Sequence, residues 1–296
     1  MSLDPPRCLS ERNHVLVPGT LWLEAPAATI AAGAAIAIIG LPHGAMDLQL
    51  LAKAHRRGAA AFSHILALYL GCAAVMAIAW WTAPVAALAI FIVLAVVHFA
   101  EDWSACGSAF LQHGMALALL AAPALLHREA ITAIFVALTG AREAAFAADA
   151  LLLVAPVAFA VGLVAIAAMA VDGAPRAAAA AALSLAALTL LPPAPGFAVY
   201  FCVFHSPRHF RAALAALGWS QPRQWLPVVV PITAIALTIA AALFQLVPAT
   251  GVPARLVAAV FMTLSVLTLP HLAVPLLLRL SPVSLQLRGS ATSAGR

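Results

Sequence analysis

The chain has 296 residues, 65% of them hydrophobic, and its formal charges are few, 15 Lys and Arg against 10 Asp and Glu, or 8% of the total. A soluble domain keeps about a quarter of its residues charged, so these numbers exclude one and point to an integral membrane protein. The net charge of +5 does not imply nucleic acid, because the basic residues form short clusters between apolar windows and no continuous stripe.

Residues 1–25 hold Asp4, Arg7, Glu11, Arg12 and several prolines without an apolar core, so they read as a polar N-terminal segment and not a cleavable signal peptide. Charge-free windows then run over 25–46, 58–100, 103–127, 150–171, 177–207, 224–254 and 256–278. Each is long enough to cross a hydrocarbon core, which takes about 20 residues of helix. Gly, Pro and charge punctuation divides them into about nine helices, with seven to ten as the range, near 27–47, 60–82, 84–104, 109–126, 149–171, 176–193, 197–217, 226–247 and 253–280. The run Ile131 to Leu138 is flanked by Arg128, Glu129, Arg142, Glu143 and Asp149, which reads as an interfacial or re-entrant segment at 128–148. Pro192, Pro193 and Pro195 mark a turn. The windows are apolar all round, unlike the alternating strands of a β-barrel. The fold class is therefore all-α, a polytopic transmembrane helix bundle forming one membrane domain over 1–296 with a polar tail at 282–296, multi-pass in the cell membrane and in contact with its lipid.

With the N-terminus outside, Lys53, Arg56, Arg57, Arg176, Arg211, Arg223, Arg279, Arg288 and Arg296 fall on the cytoplasmic side. Arg7, Arg12, Arg128, Arg142 and Arg255 fall opposite, which agrees with the positive-inside rule. Cys8, Cys72, Cys106 and Cys202 show no paired spacing, so neither a disulfide framework nor a thiolate metal site is indicated.

Histidines carry the chemistry. An ionisable side chain inside a span is costly unless it is paired or faces a cavity, so each one is a functional candidate. His14 and His55 lie in polar segments, and His64, His113 and His127 lie near window ends. That leaves His43, His98, His205, His209 and His271, all on odd-numbered helices of the nine, which run in one direction and bring the five to similar depth. His205 and His209 stand at i and i+4, one helical face, close enough for both imidazoles to hold one metal. Pro207 between them predicts a kink, and Arg208 inside the span calls for an anionic partner. Asp47 lies four residues from His43, where its carboxylate would orient that imidazole. Glu101 and Asp102 stand at i+3 and i+4 from His98. Imidazoles without thiolates suit iron, copper or zinc and not magnesium or calcium. A buried metal in an apolar cavity suits oxygen chemistry on a lipophilic substrate better than hydrolysis.

Four ordered motifs carry a resemblance: Gly40-Leu41-Pro42-His43-Gly44-Ala45-Met46-Asp47, His98-Phe99-Ala100-Glu101-Asp102, Phe204-His205-Ser206-Pro207-Arg208-His209 and Thr268-Leu269-Pro270-His271. With them the chain resembles the membrane-bound bacterial and archaeal β-carotene dioxygenases, the family of bacteriorhodopsin-related protein. The resemblance implies an Fe(2+) enzyme that uses O₂ to split the central double bond of β-carotene into two molecules of retinal. It implies His43, His98, His205 and His209 as iron ligands, His271 as a pocket residue or part of the surrounding shell, and a retinal-accepting rhodopsin as partner; Asp47, Glu101, Asp102 and Arg208 are candidates for the same shell by their positions beside these histidines. A C40 carotenoid is about as long as the hydrocarbon core is thick, roughly 30 Å, so an iron at mid-depth would meet the centre of an upright molecule. The residues alone leave open a di-iron desaturase or hydroxylase, a transporter or proton channel, and a carotenoid-binding accessory protein.

Overall fold

The computed structural model describes residues 26–55 and 59–279. The polar segment 1–25 with Cys8 and His14, the pair Arg56 and Arg57, and the tail at 282–296 lie outside the described residues.

Every described element is helical. α1 (Pro26–Ala35) passes through a π-helical turn at Ile36–Gly40 and a 3₁₀ turn at Leu41–Met46 into α2 (Asp47–His55). α3 (Ala59–Thr82) and α4 (Pro84–Ala100) follow, with a 3₁₀ turn at Glu101–Cys106. Next come α5 (Ala109–Ala121), α6 (Pro123–Thr139), α7 (Ala145–Val171) and α8 (Pro175–Leu190). α9 (Pro193–Val199) leads through a second π-helical turn, Tyr200–His205, into α10 (Ser206–Leu217). α11 (Pro222–Leu246) and α12 (Val252–Arg279) complete the bundle.

Proline sets many of these boundaries. Pro84, Pro123, Pro175, Pro193 and Pro222 occupy first helical turns, where the missing N–H would have had no partner. Helix ends use glycine: α6 stops at Gly140 with φ +68°, a left-handed conformation that glycine adopts without a Cβ penalty.

Six helical spans are long and apolar enough to cross a membrane: Pro26–Lys53, Ser63–Thr82, Pro84–Cys106, Arg142–Val171, Pro222–Leu246 and Val252–Val274. The pair Ala109–Ala121 and Pro123–Thr139, bent by 55°, makes a seventh if it is one broken span. The expected nine crossings are therefore six or seven among the described residues, for two physical reasons. Pro175–Leu190 has 16 residues, or about 24 Å at 1.5 Å per residue, short of the hydrocarbon thickness. The helical stretch 193–217 carries His205, Arg208, His209 and Arg211 and is too polar to count. The segment expected at 128–148 is instead the longer helix α6, which continues through Arg128 and Glu129 and is tied to α7 by the exposed Arg128–Asp149 ion pair at 2.5 Å.

α12 occupies the centre, packed against α1, α3, α4, α6 and α11. Half of its apolar window is buried, against 17% for the spans in α3 and α11, so those two helices are peripheral and largely face lipid. Small residues bring the helices together. A Cβ on Gly114 of α5 would overlap the Val161 side chain on α7, so only glycine permits that approach. The Trp80 indole N–H donates to Ser265 Oγ at 2.9 Å and links α3 to α12. Association of apolar helices in lipid rests on such close packing and hydrogen bonds, since lipid supplies no hydrophobic force between them.

Candidate metal centre

Two widened turns build the site. The π-helical turns Ile36–Gly40 and Tyr200–His205 each lie next to a proline, Pro42 or Pro207. Proline cannot donate to the carbonyl one turn back and its ring displaces that turn, which widens or kinks a helix locally. Pro207 thus stands in the first turn of α10, at the junction with the second π-helical turn, and not within a regular helix. The two turns touch at Gly40, where a Cβ would come within 2.5 Å of the Phe201 ring. The Gly40 carbonyl accepts from His43 Nδ1 at 2.5 Å and from Ser206 Oγ at 3.1 Å. One carbonyl thereby fixes the ring of His43 and joins the His43 and His205 segments.

Five imidazoles converge. His98 lies near the end of α4, His205 at the end of the second π-helical turn, His209 on α10 and His271 on α12. Ring centroids are 4.7 Å apart for His98 and His205, 4.4 Å for His205 and His209, 4.8 Å for His98 and His271, and 5.2 Å for His43 and His271. Two trios, His43-His98-His271 and His98-His205-His209, each bring one nitrogen per ring within 4.8 Å of the others, a spacing that can hold a metal ion. The trios share His98. From sequence, a shared site for these side chains rests on nine alternating crossings; the ring distances show it directly and do not depend on the count.

Two buried aspartates organise the outer side of this cluster, and neither serves the histidine nearest to it in sequence. Asp102 Oδ2 accepts from His205 Nδ1 at 2.8 Å and from the Tyr200 hydroxyl at 2.7 Å, while Oδ1 accepts from His209 Nε2 at 3.1 Å. Asp47 Oδ2 accepts from His271 Nδ1 at 2.8 Å and from the Tyr69 hydroxyl at 3.1 Å. Asp47 is therefore set on His271, whereas His43 uses the Gly40 carbonyl. The physical reason is the altered helical path at Ile36–Met46, which removes the regular i, i+4 alignment assumed for His43 and Asp47. Arg208 donates to the backbone carbonyl of Asp102 and to Ser104 Oγ, so its partners are neutral oxygens. Glu101 is exposed on the 3₁₀ turn.

These bonds fix which nitrogen stays free on four of the five rings. A ring nitrogen facing a carboxylate or carbonyl carries the hydrogen, leaving the other with its lone pair. Nε2 is left free on His43, His205 and His271, and Nδ1 on His209. Neither ring nitrogen of His98 has a hydrogen-bond partner, nor has Nε2 of His205, although all three atoms are buried. An unsatisfied buried polar atom is costly. Several of them facing one space fit a bound cation with the donor set of a transition metal. Tyr69, Tyr200 and Ser206 were not anticipated as site residues. A signal did exist: the chain has only 2 tyrosines, and both donate to these aspartates.

The centre opens on a cavity of about 360 Å³ lined by His43, Asp47, Tyr69, His98 and His271, and otherwise almost wholly by apolar groups such as Phe91 and Phe201. Phe99 and Phe201, which also line the cavity, pack on His205, with ring centroids 4.9 and 5.1 Å away, and leave that residue with no exposed surface. The arrangement can hold a metal ion at the wall of an apolar chamber.

Comparison with known proteins agrees with this chemistry. No curated protein and no solved structure matches the chain. A family described as Beta-carotene 15,15'-dioxygenase matches residues 34–279, which include all five histidines of the cluster and both aspartates. The histidine clusters are those of a metal-dependent oxidoreductase, consistent with iron-dependent oxidative cleavage. The match spans most of the chain, and the protein belongs to the beta-carotene 15,15'-dioxygenase family of multi-pass membrane enzymes.

Proposed function

We propose that the protein binds one Fe(2+) through His43, His98, His205 and His209 and uses O₂ to split the central double bond of β-carotene into two molecules of retinal. The observation that carries this reading is the convergence of imidazoles from separate helical segments, with buried unpartnered nitrogens, at the wall of an apolar cavity. When bound, the iron supplies the oxygen activation and redox chemistry. The chain supplies the rest. Asp102 holds the rings of His205 and His209 in their orientation and fixes the tautomer of each, as carboxylates behind metal-bound imidazoles do. The Gly40 carbonyl does the same for His43. The apolar lining holds the reacting alkene in a shaped space from which the seated substrate displaces water. His271, positioned by Asp47, stands at the pocket wall with Nε2 available to hold a proton.

The test is expression of the chain in a cell that makes β-carotene, beside a His205→Ala variant. Loss of orange colour with retinal formed is expected for the parent chain, and none for the variant. Cleavage by the variant at the parent rate would remove His205 from the ligand set. Metal analysis of the purified protein is expected to give one iron per chain; two would favour a di-iron centre. A retinal-binding rhodopsin is proposed as acceptor of the product, checked by the colour such a protein acquires when the two are co-expressed.

A further inference from the structure

The chamber beside the histidines has a rim. Leu70 of α3 and Ile235 and Ile239 of α11 line it. The same three residues are 56%, 61% and 41% exposed on the outside of the bundle. A side chain that belongs both to a cavity wall and to the outer surface marks an opening. α3 and α11 both pack along α12, yet make no extended contact with one another. The opening is therefore a slot between them, with Leu264, Leu267 and Thr268 of α12 as its back wall.

Depth identifies what the slot faces. α3 and α11 both carry membrane spans. Leu70 lies at the middle of α3, residues 59–82, and Ile235 and Ile239 lie at and just past the middle of α11, residues 222–246. The mid-region of a span lies in hydrocarbon, beyond the reach of water and headgroups. No charged side chain stands among these rim residues, so nothing at the slot would recognise an ion. At about 360 Å³, the chamber is near the lower end of the range for sites that enclose drug-sized ligands, about 300–1,000 Å³. A C40 polyene cannot be wholly enclosed there, and part of it must lie in the slot.

We infer that the slot between α3 and α11 is a lateral door, through which a long polyene dissolved in the bilayer slides to the histidine cluster while its trailing part stays between the two helices. The inference rests on the carotenoid-cleaving reading and goes beyond it by fixing the route and the residues of the door. Substrate comes directly from the hydrocarbon, and no passage from the aqueous surface is needed.

The experiment uses the full chain in phosphatidylcholine liposomes loaded with β-carotene. Leu70→Trp and Ile239→Trp narrow the slot at lipid-facing positions where a larger apolar side chain leaves folding intact. Each is expected to raise KM for β-carotene about tenfold with iron content unchanged. Leu153→Trp, at a lipid-facing position on α7 away from the cavity, is expected to behave as the parent. Iron-free Leu70→Trp protein provides a second readout, since the fluorescence that the substitution adds is quenched when a polyene occupies the slot. Quenching without cleavage in the iron-loaded parent would keep the door and refute the dioxygenase reading. Parent KM in both slot variants, or no quenching by β-carotene, would overturn the door.

Discussion

Asp102 and Asp47 are both buried carboxylates, each bonded to a tyrosine and to imidazole, but they hold different histidines in different surroundings. Asp102 serves two histidines and a tyrosine, its backbone carbonyl is bound by Arg208, and aromatic rings close over His205. Asp47 serves one histidine, and Asp47, Tyr69 and His271 all border the open chamber. The closed side, where aromatic rings cover His205, is built to hold, because three donors meeting on both oxygens of one carboxylate fix its geometry. The open side is built to face substrate. Binding and turnover are thus assigned to different carboxylates, which single substitutions can separate.

Removal of Asp102 is expected to have the largest effect. Loss of a carboxylate behind one metal-bound histidine typically costs about 10- to 100-fold in metal affinity or activity, and Asp102 stands behind two. Asp102→Asn keeps the volume but replaces one acceptor oxygen with an NH₂ group, so at least one of the three donors is left facing a donor. It is expected to lower iron affinity by at least about 100-fold, read as iron retained after dialysis against a graded chelator series. Iron retention equal to the parent would show that the closed side does not hold the metal.

Asp47→Asn comes next and separates the two sides. It removes the negative charge behind Tyr69 and, among the histidines, His271 alone, so kcat is expected to fall about tenfold while iron content stays within about twofold of the parent. Loss of iron in this variant would move His271 from the pocket wall into the ligand set, an assignment that the His43-His98-His271 trio allows geometrically.

The sequence made part of this legible. Low charge and long apolar windows were enough for an all-helical membrane bundle, because lipid admits few other structures. The number of crossings was not legible: helix 193–217 is as regular in sequence as its neighbours, yet His205, Ser206 and His209 face the histidine site while Arg208 and Arg211 are exposed, and hydropathy does not separate the two. The five histidines stood out because imidazole is rare in apolar windows. Their pairing with the aspartates did not, since Asp102 reaches His205 and His209 across more than a hundred positions and Asp47 reaches His271 across more than two hundred. Local spacing pointed each aspartate at the wrong ring. The widened turns at 36–40 and 200–205 change the helical register near Pro42 and Pro207, so i, i+4 arithmetic does not hold there.

The two tyrosines give the smallest and most discriminating difference. Both hydroxyls donate to a carboxylate Oδ2, at 2.7 Å for Tyr200 and 3.1 Å for Tyr69. Tyr200 is almost wholly buried, so in Tyr200→Phe no water can replace the lost donor to Asp102. A hydrogen bond to a charged group is worth about 1.5–3 kcal/mol, and that loss is expected in the thermal stability of the detergent-solubilised protein. Tyr69 lines the chamber, where a water can take the place of its hydroxyl as donor to Asp47. Tyr69→Phe is therefore expected to cost less than about 1 kcal/mol in stability and to show its effect in KM for β-carotene. Equal destabilisation by the two substitutions would mean that the chamber side is as dry and closed as the other, and the division of labour between the two carboxylates would fail.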